Sequence, residues 1–489
     1  MQDFLFQIRR SKTVSLQTQI REVLVSAILA GHLPAGERIP STREMAKSLG
    51  VSRNTVLLTY LDLADDGYLE VRNRSGYYVN GAILKGYAEQ PVMTRGQENS
   101  SEWRAKFRVR PKKQDNIQKP VDWRNYRYPF IYGQIDHKHF PMAEWRECQR
   151  QALSEKSFDV WTKDARDQDD EMLVEQIRTR LLPRRGIMAS PDEILVTLGA
   201  QNSIYIIASL LVGPQTRVGF EDPGYPDARN IFALKTDRII PIPIDDSGLV
   251  INSRLDGCDL LFVTPSHQFP TTVTLSRERR AELIKLANEK DMIIIEDDYE
   301  FETNYVKEPT PALKSLDVGN KVIYVGSLSK SLFPGLRMGY LVGPREFIAE
   351  ARALRRLMFR HPPSNNQHTT ALFLALGYHD SLLLRSNRAY RERWREMGQA
   401  LKDFLPNSSR VPSFGGSSYW ICGREGLDAG ALEMAAQKKG VVIEPGRIYF
   451  NSPKPPENYF RLGFSSISKN RIRPGIKIIA DLIDQQLKS

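Results

Sequence analysis

Only three cysteines occur in 489 residues, and Cys148, Cys258 and Cys422 lie far apart. Odd in number and widely spaced, they make neither a disulfide framework nor a zinc-ligand pattern, and a reducing cytoplasm is the expected setting. Long apolar runs are missing too. The longest, such as Met292–Ile295, fall far short of the ~20 residues that a membrane-crossing helix needs. No charged-then-apolar leader opens the chain, so secretion is not expected. Internal repeats and low-complexity tracts are absent, which excludes solenoid and disordered classes. Acidic charge is the scarcer sign: 58 Asp and Glu stand against 69 Lys and Arg, a formal net charge of +11. That excess permits a polyanionic partner without demanding one.

What is present is the balance of a soluble globular protein, 41% hydrophobic and 26% charged, in a chain long enough for about three modules. Residues 1–80 carry ten basic and eight acidic side chains, and residues 81–125 carry ten and five. The second stretch has little apolar periodicity and is punctuated by Gly81, Pro91, Gly96, Pro111 and Pro120, so it reads as a linker. Its basic half, Arg104 to Lys113, suits a phosphate backbone or a solvated tether held extended by like charges. From 126 to 380, short β-rich runs alternate with amphipathic stretches. Strands are expected at Ile194–Thr197, Arg217–Phe220, Arg238–Pro241, Leu260–Thr264, Met292–Glu296 and Val322–Gly326, with helices such as Gln201–Leu211 and Arg277–Asn288 between them. That alternation predicts a mostly parallel sheet covered on both faces, with function at the strand ends. Residues 381–489 open with an Arg-rich helix and close on Ile472–Leu487, a smaller α+β lobe.

In the first eighty residues, Ser15 is placed to cap a helix carrying Ile20, Val23, Leu24, Ala27 and Ile28 at helical spacing, ended by Gly31. Ser41 or Thr42 caps a second helix. Ser52 caps a third with Val56, Leu57, Tyr60 and Leu63 on one face. Two short helices joined through Leu49-Gly50-Val51-Ser52 predict a helix-turn-helix, with Arg53, Asn54 and Thr55 where side chains and free N–H groups can meet DNA. Tyr68–Val71 and Tyr77–Asn80, flanking Arg74-Ser75-Gly76, read as a wing. The runs Leu33–Glu44 and Leu49–Val56, with this wing, resemble the winged helix-turn-helix of the GntR family of bacterial regulators. The resemblance implies that Arg38, Arg43, Arg53 and Thr55 contact a double-stranded DNA operator. It also implies that Gly76 lets the wing approach closely. Tyr77 departs from the Thr usual in that wing.

Further along, Gly326-Ser327-Leu328-Ser329-Lys330 is followed by Arg337. A lysine just past a strand end, with two hydroxyls before it and an arginine after it, suits pyridoxal phosphate: the amine forms a Schiff base while the hydroxyls and guanidinium hold the phosphate. Glu296-Asp297-Asp298-Tyr299 offers a carboxylate for a pyridine nitrogen and a phenol for a ring hydroxyl. The same pair of aspartates would equally suit a hard metal ion or a solvated turn. Leu198-Gly199-Ala200-Gln201 presents N–H groups at a helix start, and Tyr225 offers a ring to stack on a cofactor face.

Together these segments resemble fold-type-I aminotransferases. Joined to the amino-terminal reader, they resemble the MocR subgroup of GntR regulators, also through Tyr132-Gly133, Asp136, Phe140-Pro141, Trp145, Leu181–Gly186, Thr264–Pro270 and Arg360–Pro363. The fold implied is an α+β winged helix-turn-helix followed by an α/β fold-type-I domain of a large parallel-sheet domain and a small α+β lobe. Pyridoxal 5'-phosphate is the implied cofactor. Lys330 would bear it, Asp297 would meet the ring nitrogen, Tyr299 the ring hydroxyl and Tyr225 the ring face. Gly199, Ala200, Gln201, Ser327, Ser329 and Arg337 would bind its phosphate. Arg461, in Tyr459–Phe464, would grip an effector's acid group, with Arg447 a second candidate. A homodimer is implied, and no metal or membrane partner is expected. Two departures stand out: the loop Thr162–Asp170 lacks the usual Pro and Gly, and Thr272 stands where the family often has Gly.

Three functions fit these residues. The chain could be a regulator sensing a small amino compound through external aldimine formation at Lys330. It could be a working aminotransferase with accessory DNA binding. It could also be a dimerisation module with a vestigial cofactor site, against which the intact set Lys330, Asp297, Tyr299 and Arg337 argues.

Overall fold

Ser15 caps the first helix as its spacing predicts, its hydroxyl accepting from the Thr18 N–H at 3.1 Å. The computed structural model describes residues 14–72, 75–85, 100–136, 138–306, 310–409 and 415–488. The chain falls into two units, 1–106 and 107–489. In the first, α1 (Leu16–Leu29), α2 (Thr42–Leu49) and α3 (Arg53–Asp65) are followed by β1 (Leu69–Arg72) and β2 (Gly76–Val79). Ser41 and Glu44 close a reciprocal cap at the start of α2, satisfying two N–H groups that the helix leaves free. Gly50, at φ +62°, makes the left-handed turn between α2 and α3 that a Cβ would disfavour. Ile20, Leu24, Val56, Tyr60 and Leu63 form the buried core with Val79. Leu57, expected on that face, is only half-buried, and Thr59 lies inside instead. The stripe through 56, 59, 60 and 63 passes Leu57 at its edge. β1 and β2 pair antiparallel, Leu69 opposite Val79 and Arg72 opposite Gly76; Arg74, in the expected turn, lies outside the described residues.

The stretch 81–125, expected to be a linker, is not free along its described length. Residues 86–99 lie outside the described residues, but Ser100–Lys106 is helical. Beyond it, Gln114 Nε2 donates to Asn230 O at 2.9 Å, and Asn230 Nδ2 donates to Asp115 O at 2.7 Å. The segment's polar composition conceals this docking, because it is made through amides and backbone rather than through an apolar stripe.

In the second unit, β3 (Tyr128–Pro129) precedes an eight-stranded sheet made of β4 (Ile194–Thr197), β5 (Val218–Asp222), β6 (Ile239–Asp245), β7 (Gly248–Leu249), β8 (Leu260–Val263), β9 (Ile293–Asp298), β10 (Val322–Ser327) and β11 (Gly339–Val342). Their order is β4-β11-β10-β9-β8-β5-β6-β7. The five strands from β10 to β6 are mutually parallel, and β11 runs antiparallel to both its neighbours. β9 and β10 are almost wholly buried, in keeping with the apolar runs Ile293–Ile295 and Val322–Val325, because helices cover both faces of a parallel sheet. Sequence patterning missed β7, which has only two residues, and β11, whose Gly-Tyr-Leu-Val carries no aliphatic run like those of β4 and β8.

β12 (Ser418–Cys422), β13 (Val441–Val442), β14 (Glu444–Pro445) and β15 (Tyr459–Gly463) belong to the smaller lobe, where β12, β15 and β14 form one antiparallel sheet. The helices Tyr378–Phe404 and Lys469–Gln486 pack on it. This lobe is not confined to residues 381–489 as expected. β3 pairs with β13, and Tyr128 and Phe130 join the lobe's core with Ile421, Phe460 and Ile476. The residues that begin the second unit therefore close the lobe that ends it, a pairing across some 300 positions that no local pattern encodes.

Candidate functional site

Five chain segments deliver their polar residues to one place because parallel strands end side by side. Gly199 follows β4, Tyr225 follows β5, Thr264 follows β8, Asp297 lies at the end of β9 and Lys330 lies just past β10. They surround a cavity of about 280 Å³ lined by Ala200, Gln201, Tyr225, Asp297, Tyr299, Ser327, Ser329, Lys330, Arg337 and Arg461. Ten residues singled out in the sequence thus meet there. Gly199 stands just behind them at φ +89°. A Cβ at Gly199 would lie 3.4 Å from Arg337 Nη2 and 3.7 Å from Ser329 Oγ, so the missing side chain lets the start of helix Ala200–Leu211 come close to both groups.

The electrostatics are those of a prepared receptor. Asp297 is buried, and its Oδ1 has no hydrogen-bond partner among the described residues; Ser329 Oγ is in the same condition. An orphaned buried carboxylate is costly unless something binds it. Burial, aided by Asp298, pushes the Asp297 carboxyl up to about 8. Burial likewise brings Lys330 down to about 7, with Lys119 adding to the effect and Glu300 opposing it. An amine so depressed is partly neutral and nucleophilic. Its Nζ lies 4.2 Å from the centre of the Tyr132 ring, and any side chain at Gly133 would collide with it. Tyr299 spends its proton on His267 O at 2.7 Å, leaving its lone pairs to the cavity. The Tyr225 ring packs edge-on to Phe269 with centroids 5.0 Å apart.

The Asp297 shift has a measurable consequence. Its folded pKa lies above the ~3.9 of an unfolded chain, so the folded state keeps a proton that the unfolded chain has lost throughout that window. The associated stability is complete at low pH and drains as pH climbs towards about 8, at up to about 1.4 kcal/mol per pH unit. Cofactor-free wild-type protein should therefore lose stability relative to Asp297→Asn over that range, and the gap should level off above it. Denaturant melts of both proteins at several pH values check this; parallel curves would contradict it.

Arg461 reaches the cavity wall, but not with empty hands. Its Nε and Nη2 donate to Glu444 Oε2 at 2.8 and 2.6 Å, and its guanidinium faces Tyr132 and Phe269 with ring centres 4.1 and 4.3 Å away. Burial acts to raise the Glu444 carboxyl, yet Arg461 and Lys119 hold it down at about 2. Arg447, the second candidate for an acid group, is exposed on a short turn and is not among the lining residues. Its place just upstream of the Arg461 segment does not bring it to the cavity, since β14 ends at Pro445 and residue 447 lies on the turn that follows.

Sequence reasoning gave no role to Lys119, Tyr132 and Phe269, which line this wall, nor to Glu444, which binds Arg461 behind it. Lys119 was hidden in a basic stretch, while Tyr132 and Phe269 stood in quoted runs without a role. Asp298, beside Asp297, points away from the cavity. Its Oδ2 accepts from Arg185 Nε at 2.6 Å and from Tyr324 Oη at 2.9 Å. Alternation along β9 separates the two neighbouring aspartates, and no group of metal-ligating side chains is found among the described residues.

Both departures noted in the sequence have a structural account. Thr272 sits at φ +63°, the left-handed region that glycine occupies at least cost. In the loop 162–170, Asp169 binds Arg352 and Arg355 at 2.9 and 2.5 Å, while Asp170 caps the next helix and meets His368 Nδ1 at 2.9 Å. Carboxylate anchors replace turn residues.

In the first unit, Arg38, Arg43 and Arg53 are exposed and Thr55 is half-buried. Thr55 Oγ1 lies 2.7 Å from Ser52 Oγ, and Arg53 Nε donates to Thr42 Oγ1 at 3.4 Å, so the starts of α2 and α3 adjoin. The backbone of Arg38 bridges Tyr78. Gly76, at φ +110°, leaves its Cβ position 3.4 Å from Arg38 Nε. The α2 and α3 helix starts thus lie together, and Arg38, before α2, is bridged to the wing strand β2.

Residues 16–79 match the gntR family of bacterial regulatory proteins, and residues 138–479 match aminotransferase class I and II. The chain is 42% identical to the HTH-type transcriptional regulator TauR of Rhodobacter capsulatus, over 95% of this chain and 96% of that protein. It is 30% identical to the probable rhizopine catabolism regulatory protein MocR of Rhizobium meliloti, over 96% of this chain and 93% of that one. Among solved structures, it resembles LysN, the alpha-aminoadipate aminotransferase of Thermus thermophilus complexed with N-(5'-phosphopyridoxyl)-L-leucine. There the TM-score is 0.71 at 25% identity, covering 79% of this chain and 99% of the other.

Proposed function

Because the chain belongs to the MocR subgroup of the GntR family, in which a winged helix-turn-helix precedes an aminotransferase-like domain, we propose that it is a DNA-binding transcriptional regulator that senses a small amino compound with pyridoxal phosphate held at Lys330. One observation carries the proposal. Unpartnered Asp297 Oδ1 and Ser329 Oγ line the same cavity as the depressed amine of Lys330. Asp297 would hold the protonated ring nitrogen and Tyr299 the ring hydroxyl, with Tyr225 against the ring face. The N-terminal amides of Ala200 and Gln201, behind Gly199, would take the phosphate with Ser327, Ser329 and Arg337. Pyridoxal phosphate, when bound, supplies an aldehyde that joins covalently to a primary amine. Lys330 would yield that place to an effector's amine, and Arg461 would receive the effector's acid group. A homodimer would present two winged units to a paired operator.

Amine exchange without turnover is what separates a sensor from an enzyme. Titrating cofactor-loaded protein with a panel of amino compounds should change the cofactor's absorbance and the protein's affinity for its operator together. Multiple-turnover formation of a keto acid, with operator affinity unmoved, would favour the aminotransferase reading instead.

On the DNA side, Arg53→Ala should weaken operator binding by about 1–3 kcal/mol if Arg53 reads a base, with relaxed preference at that position. If Arg53 serves a phosphate, the loss should be uniform across sequences and the salt slope should fall by about one. Unchanged binding to an operator selected from a random duplex library would remove Arg53 from the interface.

A further inference from the structure

Glu444 ties the small lobe to the segment 119–132, which lies 312 positions away at Tyr132. Its Oε2 takes both bonds from Arg461 on β15. Its Oε1 accepts from the Tyr132 N–H at 3.0 Å and lies 3.3 Å from Lys119 Nζ. Lys119 also donates to Tyr132 O and lines the same cavity as Lys330 and Arg461. Two cations thus share one buried carboxylate at the wall where an acid group would arrive, leaving this trio one positive charge in excess. A monoanion placed there gains charge-assisted bonds from both cations, and Lys119 can turn to it because its side chain is still a quarter exposed. Burial and Arg461 work against the Lys119 charge, which Glu444 supports first and Asp227 after it, so a second anion relieves a real cost.

We propose that Lys119 is the second cation of the effector's acid-group subsite, and that an arriving carboxylate or sulfonate draws it from Glu444. The inference rests on the amine-sensing role of the cavity and adds to it both a specificity residue and an output. Lys119 ends the segment docked through Gln114, Asp115 and Asn230, and that segment continues along the chain towards the winged unit. Binding of the acid group is therefore felt on the connecting segment itself, which a simple amine would leave undisturbed.

The test uses the full-length, cofactor-loaded protein and matched probes: linear ω-amino acids and aminosulfonates against n-alkylamines of the same length. Each is titrated by cofactor absorbance. In Lys119→Met, the ratio of half-saturation by the acid-bearing amines to that by the alkylamines should rise about ten- to a hundredfold, since any change at Lys330 itself falls on both classes alike. The alkylamine titration doubles as the control for folding. Lys119→Arg should keep the preference for acid-bearing amines. In wild-type protein, hydrogen exchange in residues 114–119 should change with acid-bearing amines and not with alkylamines. A preference ratio untouched in Lys119→Met, or exchange that ignores the acid group, overturns the assignment while leaving amine sensing intact. A wild-type protein whose cofactor answers to no amine at all overturns the sensing reading beneath it.

Discussion

Lys330→Ala is expected to abolish covalent attachment of pyridoxal phosphate. After loading and borohydride reduction, peptide mass spectrometry of the wild-type protein should place a pyridoxyl adduct on Lys330, and the variant should show none. Loss should be complete because the cavity offers no other amine so prepared. Lys119 also lines the cavity, but its ammonium is held by Glu444 and Tyr132. Some cofactor should still bind without the covalent bond, through Arg337, Ser329 and the helix start at Ala200. Operator affinity should persist in the full-length variant while its response to amines vanishes. An adduct of equal yield on another lysine, or an amine response surviving in the variant, would sink the assignment of Lys330. Asp297→Asn gives an independent reading of the same site: losing a charge-assisted bond to the ring nitrogen should weaken cofactor binding by about 1.5–3 kcal/mol.

Stability should depend most sharply on a pair that never touches the cavity. Arg185 and Asp298 have side chains fully removed from solvent and meet at 2.6 Å. Arg185 further donates to Ser266 Oγ and Thr310 O, both at 2.8 Å. Burial alone would raise the Asp298 carboxyl, yet Arg185, Ser266 and Tyr324 hold it below its ordinary value. Arg185→Met strands a buried carboxylate and should cost about 3–5 kcal/mol. The double variant Arg185→Met, Asp298→Leu should recover much of that, since removing both charges removes the desolvation cost with the attraction. Denaturant melts of the single and double variants would decide it. A single variant within about 1 kcal/mol of wild type would mean that the pair is worth no more than a surface ion pair.

This pair matters to function through position. Asp298 is the residue next to Asp297 on β9, and its tie to Arg185 and Tyr324 fixes the strand end from which Asp297 faces the cavity. Residue type alone does not separate the two aspartates, and only the family resemblance singles out Asp297. Strand alternation, and the arginine that only one of them meets, made one structural and left the other free.

Local information carried far. Ser15, Ser41 and Ser52 each cap the helix that follows, because capping is an affair of three or four residues and is written where it acts. The six strands that carry an apolar run were legible for the same reason, and so was the order of lysine, hydroxyls and arginine around residue 330. Strands without such a run were not: Gly248–Leu249 and Gly339–Val342 become strands because a neighbour pairs with them.

Composition and short-range spacing were thus sufficient to reveal the helix-turn-helix, the parallel sheet and the residues gathered at its strand ends, since each is specified by chain neighbours. The fate of Arg461, Arg447 and Lys119 was settled by folding. Arg461 acquired Glu444, Arg447 was turned outward, and Lys119 was carried from a basic tether to the cavity wall. Charges act through space with a strength set by separation and burial. Those two quantities come into being only when residues hundreds of positions apart are packed together.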